Sequence, residues 1–390
     1  MQRIYWAMRS DERTRRSRRS EVGGGATSRT SKQTKGREIE QRGASSTFAK
    51  DFDFLMEQSI NTYFYRVAEH LFAVESQDNT VFALLGNYEP FRVETHGTTI
   101  FTLRIEPNGL LRDEQRASYK HIFTDNSEED MPRIEVYRED IGDGQLAIVN
   151  KGWLMRVSQI AQSPICCELH SNADFTQGVL HIAADCQDVR FCIDNALMLM
   201  YAFRTAPLMT LEMHAAVVVR GNEAMRRLGD EAMRREGDGR WAMGAEARAY
   251  LFLGHSGTGK STHARQWLQA FSDAWLLNDD NPILRVMEDG EVRVYGSPWS
   301  GKTPCYKNAH ARVGGIIKLS QAPYNQLQPL TLPQAYAYML SSASGLKMNH
   351  QMADDMYNSI KHIITHVKCH HLNCLPNTDA AEVCFQGCRV

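Results

Sequence analysis

A mixed α/β fold is what this 390-residue sequence predicts, and three stretches carry the prediction. Residues 249–271 pass from an apolar strand-like segment through glycines into a segment with helical spacing. Residues 274–280 form a second apolar run that ends on two carboxylates. Residues 51–206 hold short segments rich in β-branched and aromatic residues, separated by turn signals. The expected organisation is a disordered basic tail (1–50), a smaller β-rich domain with a closing helix (51–206), and a phosphate-loop domain (207–390) carrying a low-complexity insertion at 221–249.

Composition sets the bounds. Hydrophobic residues make up 43% and charged residues 23%, the balance of a globular chain with ample core material. The formal net charge of -2 gives no general attraction to nucleic acid or anionic membrane. It hides an asymmetry: residues 1–50 hold 13 Lys/Arg against 5 Asp/Glu, so the remainder is acidic. That basic stretch has a Gly-Gly-Gly run and almost no apolar periodicity, and it reads as a solvated tail in preference to a nucleic-acid arm. Nine scattered cysteines with no secretory signal ahead of them point to a reduced, cytoplasmic compartment. The most apolar stretch, 196–219, is interrupted by Arg204, Pro207, Glu212 and His214 and does not read as a membrane span.

Strands are expected at 63–74, 98–105, 134–138, 145–148 and 179–182, and their spacing suggests an antiparallel sheet. A helix follows at 195–203, ended by Pro207. Residues 211–220 read as one apolar strand containing His214. The insertion after it repeats eight residues in tandem, Glu223 to Asp230 and Glu231 to Asp238, and reads as an enlarged surface turn.

The chemistry concentrates at Gly254, His255, Ser256, Gly257, Thr258, Gly259, Lys260, Ser261 and Thr262, which fill the pattern GxxxxGK[ST]. Glycines let backbone N–H groups point at an anion, the following helix adds its positive end, Lys260 reaches β/γ-phosphates, and Ser261 can ligate Mg²⁺. A nucleoside triphosphate is the natural occupant. By chance the pattern arises in about one chain in a hundred of this length, so its context decides. Strand, loop and helix occur here in the required order, with Ala264, Trp267, Leu268 and Phe271 expected on the inward face.

One helix later come Asn278, Asp279, Asp280, Asn281 and Pro282. A carboxylate pair beside a phosphate loop suits Mg-nucleotide chemistry, one holding hydrated metal while the other takes a proton from the attacking group. The same composition also makes a polar turn. Residues 296–303 match the phosphate-loop pattern a second time, but no amphipathic helix continues from them, so a second nucleotide loop is rejected. Ser297, Ser300, Lys302 and Thr303 remain candidates for an active-site loop, with Lys302 able to neutralise charge on a transferring phosphoryl. Helices are expected at 333–341 and 352–367, then a strand at 371–375. The group Cys369, His370, His371, Cys374, Cys384 and Cys388 lacks a standard zinc spacing, and zinc is not the preferred reading.

His214, the loop from Gly254 to Ser261, and Asp279-Asp280 together resemble the catalytic domain of HPr kinase/phosphorylase and, more distantly, ATP-dependent phosphoenolpyruvate carboxykinase. The resemblance spans about 211–319 and is most specific at Asn278 to Pro282 and Gly296 to Pro304. It implies an ATP- and Mg²⁺-dependent phosphotransferase in which Lys260 and the loop amides bind the β-phosphate. Ser261 and Asp279 would hold Mg²⁺, Asp280 would act as general base toward a hydroxyl, and His214 would sit near the transferring phosphoryl. The Glu-Ile-Arg-Gly-type segment of authentic HPr kinases is absent here. The acceptor, a protein serine or a metabolite hydroxyl, therefore stays open, as do carboxykinase-like chemistry, a nucleotide-binding regulator without turnover, and a homo-oligomer.

Overall fold

The computed structural model describes residues 60–94, 97–107, 109–125, 132–141, 149–221, 241–242, 247–301, 303–347 and 349–389. The basic tail, the strand expected at 145–148, the tandem repeat and Lys302 lie outside the described residues. Two large mixed sheets flanked by helices make up the fold, which is mixed α/β.

The first sheet comprises β1 (Asn61–Val67), β2 (His70–Ser76), β3 (Arg92–Val93), β4 (Thr102–Glu106), β5 (Tyr119–Asp125), β6 (Arg133–Ile141), β7 (Val149–Ser158), β8 (Ile165–Asn172) and β9 (Gln177–Ile182). Their order is β3-β1-β2-β4-β9-β8-β7-β6-β5. The expectation of an antiparallel sheet is corrected: β4 runs parallel to both β2 and β9. Parallel neighbours need a long crossover, and residues 77–101 supply one, with short helical turns at Thr80–Ala83 and Glu89–Phe91. The chain then makes the β5–β8 meander before β9 returns beside β4.

The single strand expected at 63–74 is two strands, a hairpin closed by Ala68 and Glu69 with φ of 45° and 69°. Two-residue hairpin turns demand positive φ, normally met by Gly, Asn or Asp; here neither residue announces the turn. Tertiary contacts hold it instead. Arg285 donates to the Ala68 carbonyl at 2.7 Å and to Glu69 Oε2 at 3.1 Å, and the Tyr295 hydroxyl donates to Glu69 Oε1 at 3.0 Å. Arg285→Ala is expected to destabilise the fold by about 1–3 kcal/mol, the worth of charged hydrogen bonds to a strained turn, read as a lower urea midpoint.

Helix α1 (Val189–Thr205), longer than the expected 195–203, starts at Asp188, whose carboxylate accepts from the Phe191 N–H at 2.9 Å. It is apolar around most of its surface because it is covered on both sides. Leu103 and Leu180 of the first sheet share one core with Met200 and Tyr201 of this helix, with Ile283 and Tyr295 of the second sheet, and with Trp299 of the loop that follows β16. The two sheets are thus joined by apolar packing as well as by the clamped hairpin. No described helix is long and apolar enough to cross a membrane.

The second sheet contains β10 (Thr210–Glu212), β11 (Ala215–Arg220), β12 (Trp241–Ala242), β13 (Arg248–Leu253), β14 (Ala274–Asn278), β15 (Ile283–Val286), β16 (Val292–Tyr295), β17 (Ala309–Gln321), β18 (Gln326–Pro329) and β19 (Cys369–Cys374). Its main path is β10-β15-β16-β17-β13-β11-β14, with β12 and β19 pairing on β17 and β18 on β19. Helices α2 (Lys260–Ala270) and α5 (Thr378–Arg389) cover one face, and α3 (Leu332–Ser342) and α4 (His350–His366) the other. β13 is buried on both faces, Ala249, Leu251 and Leu253 toward α3 and α4, Tyr250 and Phe252 toward α2 and α5. That explains its unbroken apolar run. In α2, Ala264 and Trp267 face inward as expected, but Leu268 is 38% exposed and the inward position belongs to His263, which accepts from Trp267 Nε1 at 3.0 Å.

Candidate active site

Strand pairing assembles the site at one sheet edge. β11 runs antiparallel to both β13 and β14 and lies between them. Its start therefore meets their carboxyl ends: Ala215 pairs with Leu253, and Val217 with Asn278 beside a bulge. His214, just before β11, falls between the loop that follows β13 and the carboxylates that follow β14. The strand expected at 211–220 is in fact broken there, because β10 pairs with β15 while β11 pairs elsewhere. At the break the His214 N–H donates to the Ser342 carbonyl at 2.7 Å, and Ala215 N–H to the Asp280 carbonyl at 3.0 Å.

The loop has the backbone its sequence requires. Gly257 and Gly259 have φ of 78° and 104°, and a Cβ on Gly254 would come within 2.9 Å of the Thr258 side chain. Helix α2 begins at Lys260 directly after Gly259. Its first-turn N–H groups carry no helical partner of their own and form a positive end for an anion. His255, Ser256 and Gly257 are exposed, Thr258, Gly259, Ser261 and Thr262 are half-buried, and Lys260 is buried.

Lys260 turns its Nζ inward. It donates to the carbonyls of Gly254 at 2.9 Å and His255 at 3.3 Å and lies 2.9 Å from His214 Nε2. Burial, then the Lys260 charge and His255, hold the His214 ring down at about 3, so it is neutral near pH 7. An ammonium donating to Nε2 leaves the ring proton on Nδ1. Asp280 Oδ1 lies 3.7 Å from the same Nε2; with the ring neutral this is a polar contact rather than an ion pair. Lys260, His214 and Asp280 thus converge within one small volume.

Burial lowers the Lys260 ammonium to about 8, with Asp280 opposing the shift and Lys318 adding to it. An unfolded lysine titrates near 10.5, so between those values the unfolded chain binds the extra proton. Stability of the ligand-free chain is expected to rise with pH from about 8 to about 10.5, by up to about 3 kcal/mol. Denaturant titrations across that window check this, and Lys260→Met is expected to flatten the rise.

Asp279 makes different contacts. Its Oδ1 accepts from Ser300 Oγ at 2.7 Å and Gly301 N–H at 2.8 Å, and its Oδ2 from Thr303 N–H at 3.2 Å. The carboxylate ties the 297–303 loop to the end of β14. Among the described residues Thr303 is the donor to Oδ2, which leaves that oxygen a second lone pair for a metal or its water, since a carboxylate offers about four. Lys302, the fourth expected catalytic residue, lies outside the described residues; its neighbours Gly301 and Thr303 both donate to Asp279. Among the described residues no helix runs from 296 to β17, so this second glycine-lysine match lacks the helix end a phosphate loop needs.

Sequence reasoning missed the network behind these groups. Asn278 Nδ2 donates to the Trp299 carbonyl at 2.9 Å, while its Oδ1 accepts from the N–H groups of Asp280 and Asn281 at 2.9 and 2.8 Å. Trp299 Nε1 donates to the Tyr88 hydroxyl at 2.8 Å, and Tyr88 to Asp194 Oδ1 on α1 at 2.9 Å. The buried pair of motifs is thereby fixed to the crossover after β2 and to α1. The Asn-Asp-Asp-Asn and Ser-Pro-Trp-Ser stretches hinted at a site, but nothing in them names Tyr88 or Asp194 as partners. The chain matches no protein-family model, and no curated protein matches it.

The carboxy-terminal His and Cys residues spread apart. His371 Nε2 lies 2.8 Å from Ser320 Oγ, while His370 Nδ1 lies 3.8 Å from Cys388 Sγ. Adjacent strand residues point to opposite faces, and these two histidines follow that rule.

Proposed function

We propose that this chain is an ATP- and Mg²⁺-dependent phosphotransferase with an HPr kinase-like catalytic domain, moving the γ-phosphoryl to a hydroxyl of a protein or small-molecule acceptor. The observation that carries the reading is the convergence of Lys260 and Asp280 on His214 at the mouth of the glycine loop. A phosphate-binding cation and a carboxylate from a nearby strand end are what in-line phosphoryl transfer asks of a protein.

The residues fit Mg²⁺. The Ser261 hydroxyl and the Asp279 carboxylate are hard oxygen donors of the kind this ion takes, and few are needed because it keeps several waters. Bound there, the ion would neutralise phosphate charge. The loop amides and Lys260 bind and orient the β/γ-phosphates. Asp280 accepts the acceptor hydroxyl proton as the new O–P bond forms and the bond from the γ-phosphorus to the β–γ bridging oxygen breaks, releasing ADP. Neutral His214 keeps Lys260 and Asp280 in register without adding charge. Asp279 sets the 297–303 loop, whose Lys302 supplies a second cation. A reduced, cytoplasmic setting agrees with the nine unpaired thiols.

Calorimetric titration tests the binding half of this reading. One equivalent of MgATP should bind, with affinity falling when Mg²⁺ is chelated and again as pH rises past about 8, where Lys260 loses its charge. No heat and no saturation at millimolar MgATP would overturn it.

A further inference from the structure

Away from the glycine loop, three cysteines from a strand, a turn and a helix meet at the amino-terminal end of α1. Cys166 opens β8, Cys186 sits in the turn after β9, and Cys192 lies in the first turns of α1. Their sulfur atoms all lie within 4.8 Å of one another, and those of Cys186 and Cys192 are 3.6 Å apart. Thiolates at about 2.3 Å from a tetrahedral zinc ion are separated by about 3.8 Å along each edge. The spacing is thus already that of a metal cage.

The backbone fixes this geometry. Ala183 N–H donates to the Cys166 carbonyl at 2.9 Å, and Cys186 N–H to the Ala183 carbonyl at 3.0 Å, which folds the turn back over β8. Cys192 is fully buried and Cys166 nearly so, while Cys186 is partly exposed and opens a path from solvent. The Cys166 thiol donates to the Val157 carbonyl at 3.2 Å, and the Cys192 thiol lies 3.8 Å from the Cys166 carbonyl. Among the described residues no other set of three such ligand groups comes together.

We propose that Cys166, Cys186 and Cys192 form a binding site for Zn²⁺ or another thiophilic divalent cation, with water in the fourth position. On binding, each thiol releases its proton to solvent as an S–metal bond forms, giving a site of net charge -1 beside the positive end of α1. Such an ion would pin α1, and with it Asp194, to the first sheet. The site does not depend on the phosphotransferase reading.

Cobalt titration of the reduced, metal-stripped full chain tests it. One equivalent of Co²⁺ should bind with an intense thiolate-to-cobalt charge-transfer band, and Zn²⁺ should displace it. Cys186→Ala, at the partly exposed position where folding is least at risk, should weaken binding by more than the roughly 10- to 100-fold that loss of a mere supporting partner costs. Cys374→Ala should leave it unchanged. Circular dichroism of each variant establishes that the fold persists. Absence of the band in the wild-type chain, or its full retention in Cys186→Ala, would overturn the proposal.

Discussion

Lys260→Ala is expected to abolish ATP binding while leaving the fold in place. The Lys260 ammonium is the cation at the base of the loop, held by Gly254, His255 and His214, and a triphosphate would exchange the long 3.3 Å contact to His255 for a charged one. Removing one member of a buried charge pair typically costs about 2–5 kcal/mol, or about 30- to 4,000-fold in affinity. The ligand-free chain loses little, because the same burial that depresses Lys260 already makes its charge expensive to hold. Equilibrium titration with MgATP, alongside a thermal melt, separates the two. A variant that melts normally yet binds MgATP like wild type would remove Lys260 from the site.

Asp280→Asn should show the opposite pattern, with nucleotide affinity near that of wild type and transfer slowed about 10²- to 10⁴-fold, the usual worth of a positioned general base. Asparagine keeps the size and the polar contact with His214 but cannot take a proton. Asp279→Asn should behave differently again. Its carboxylate accepts from Ser300, Gly301 and Thr303, so its loss releases the 297–303 loop. Binding and transfer should then fall together. A KM-against-kcat comparison distinguishes the two aspartates.

The glycine loop was legible because its pattern is local: glycines, lysine and hydroxyl within eight residues, framed by one strand and one helix. The carboxylate pair was legible by proximity in sequence. What periodicity could not give was everything set by strand order. His214 entered the expected site through the family resemblance alone, since it reaches Lys260 only because β11 starts where β13 and β14 end. The Ala68-Glu69 hairpin escaped because its turn is imposed by Arg285 and Tyr295, far along the chain, instead of by turn residues. The parallel pairing of β4 with β2 and β9 escaped for the same reason. The cysteine cluster escaped because its members join a strand, a turn and a helix with no recognised spacing.

Single-turnover transfer from γ-labelled ATP measures the central assignment most directly, with wild type, Lys260→Ala and Asp280→Asn compared in the presence of Mg²⁺ and a panel of hydroxyl acceptors. Label should move to an acceptor with the wild-type chain, fail to bind with Lys260→Ala, and bind without moving with Asp280→Asn. Transfer by Asp280→Asn at the wild-type rate would contradict the account.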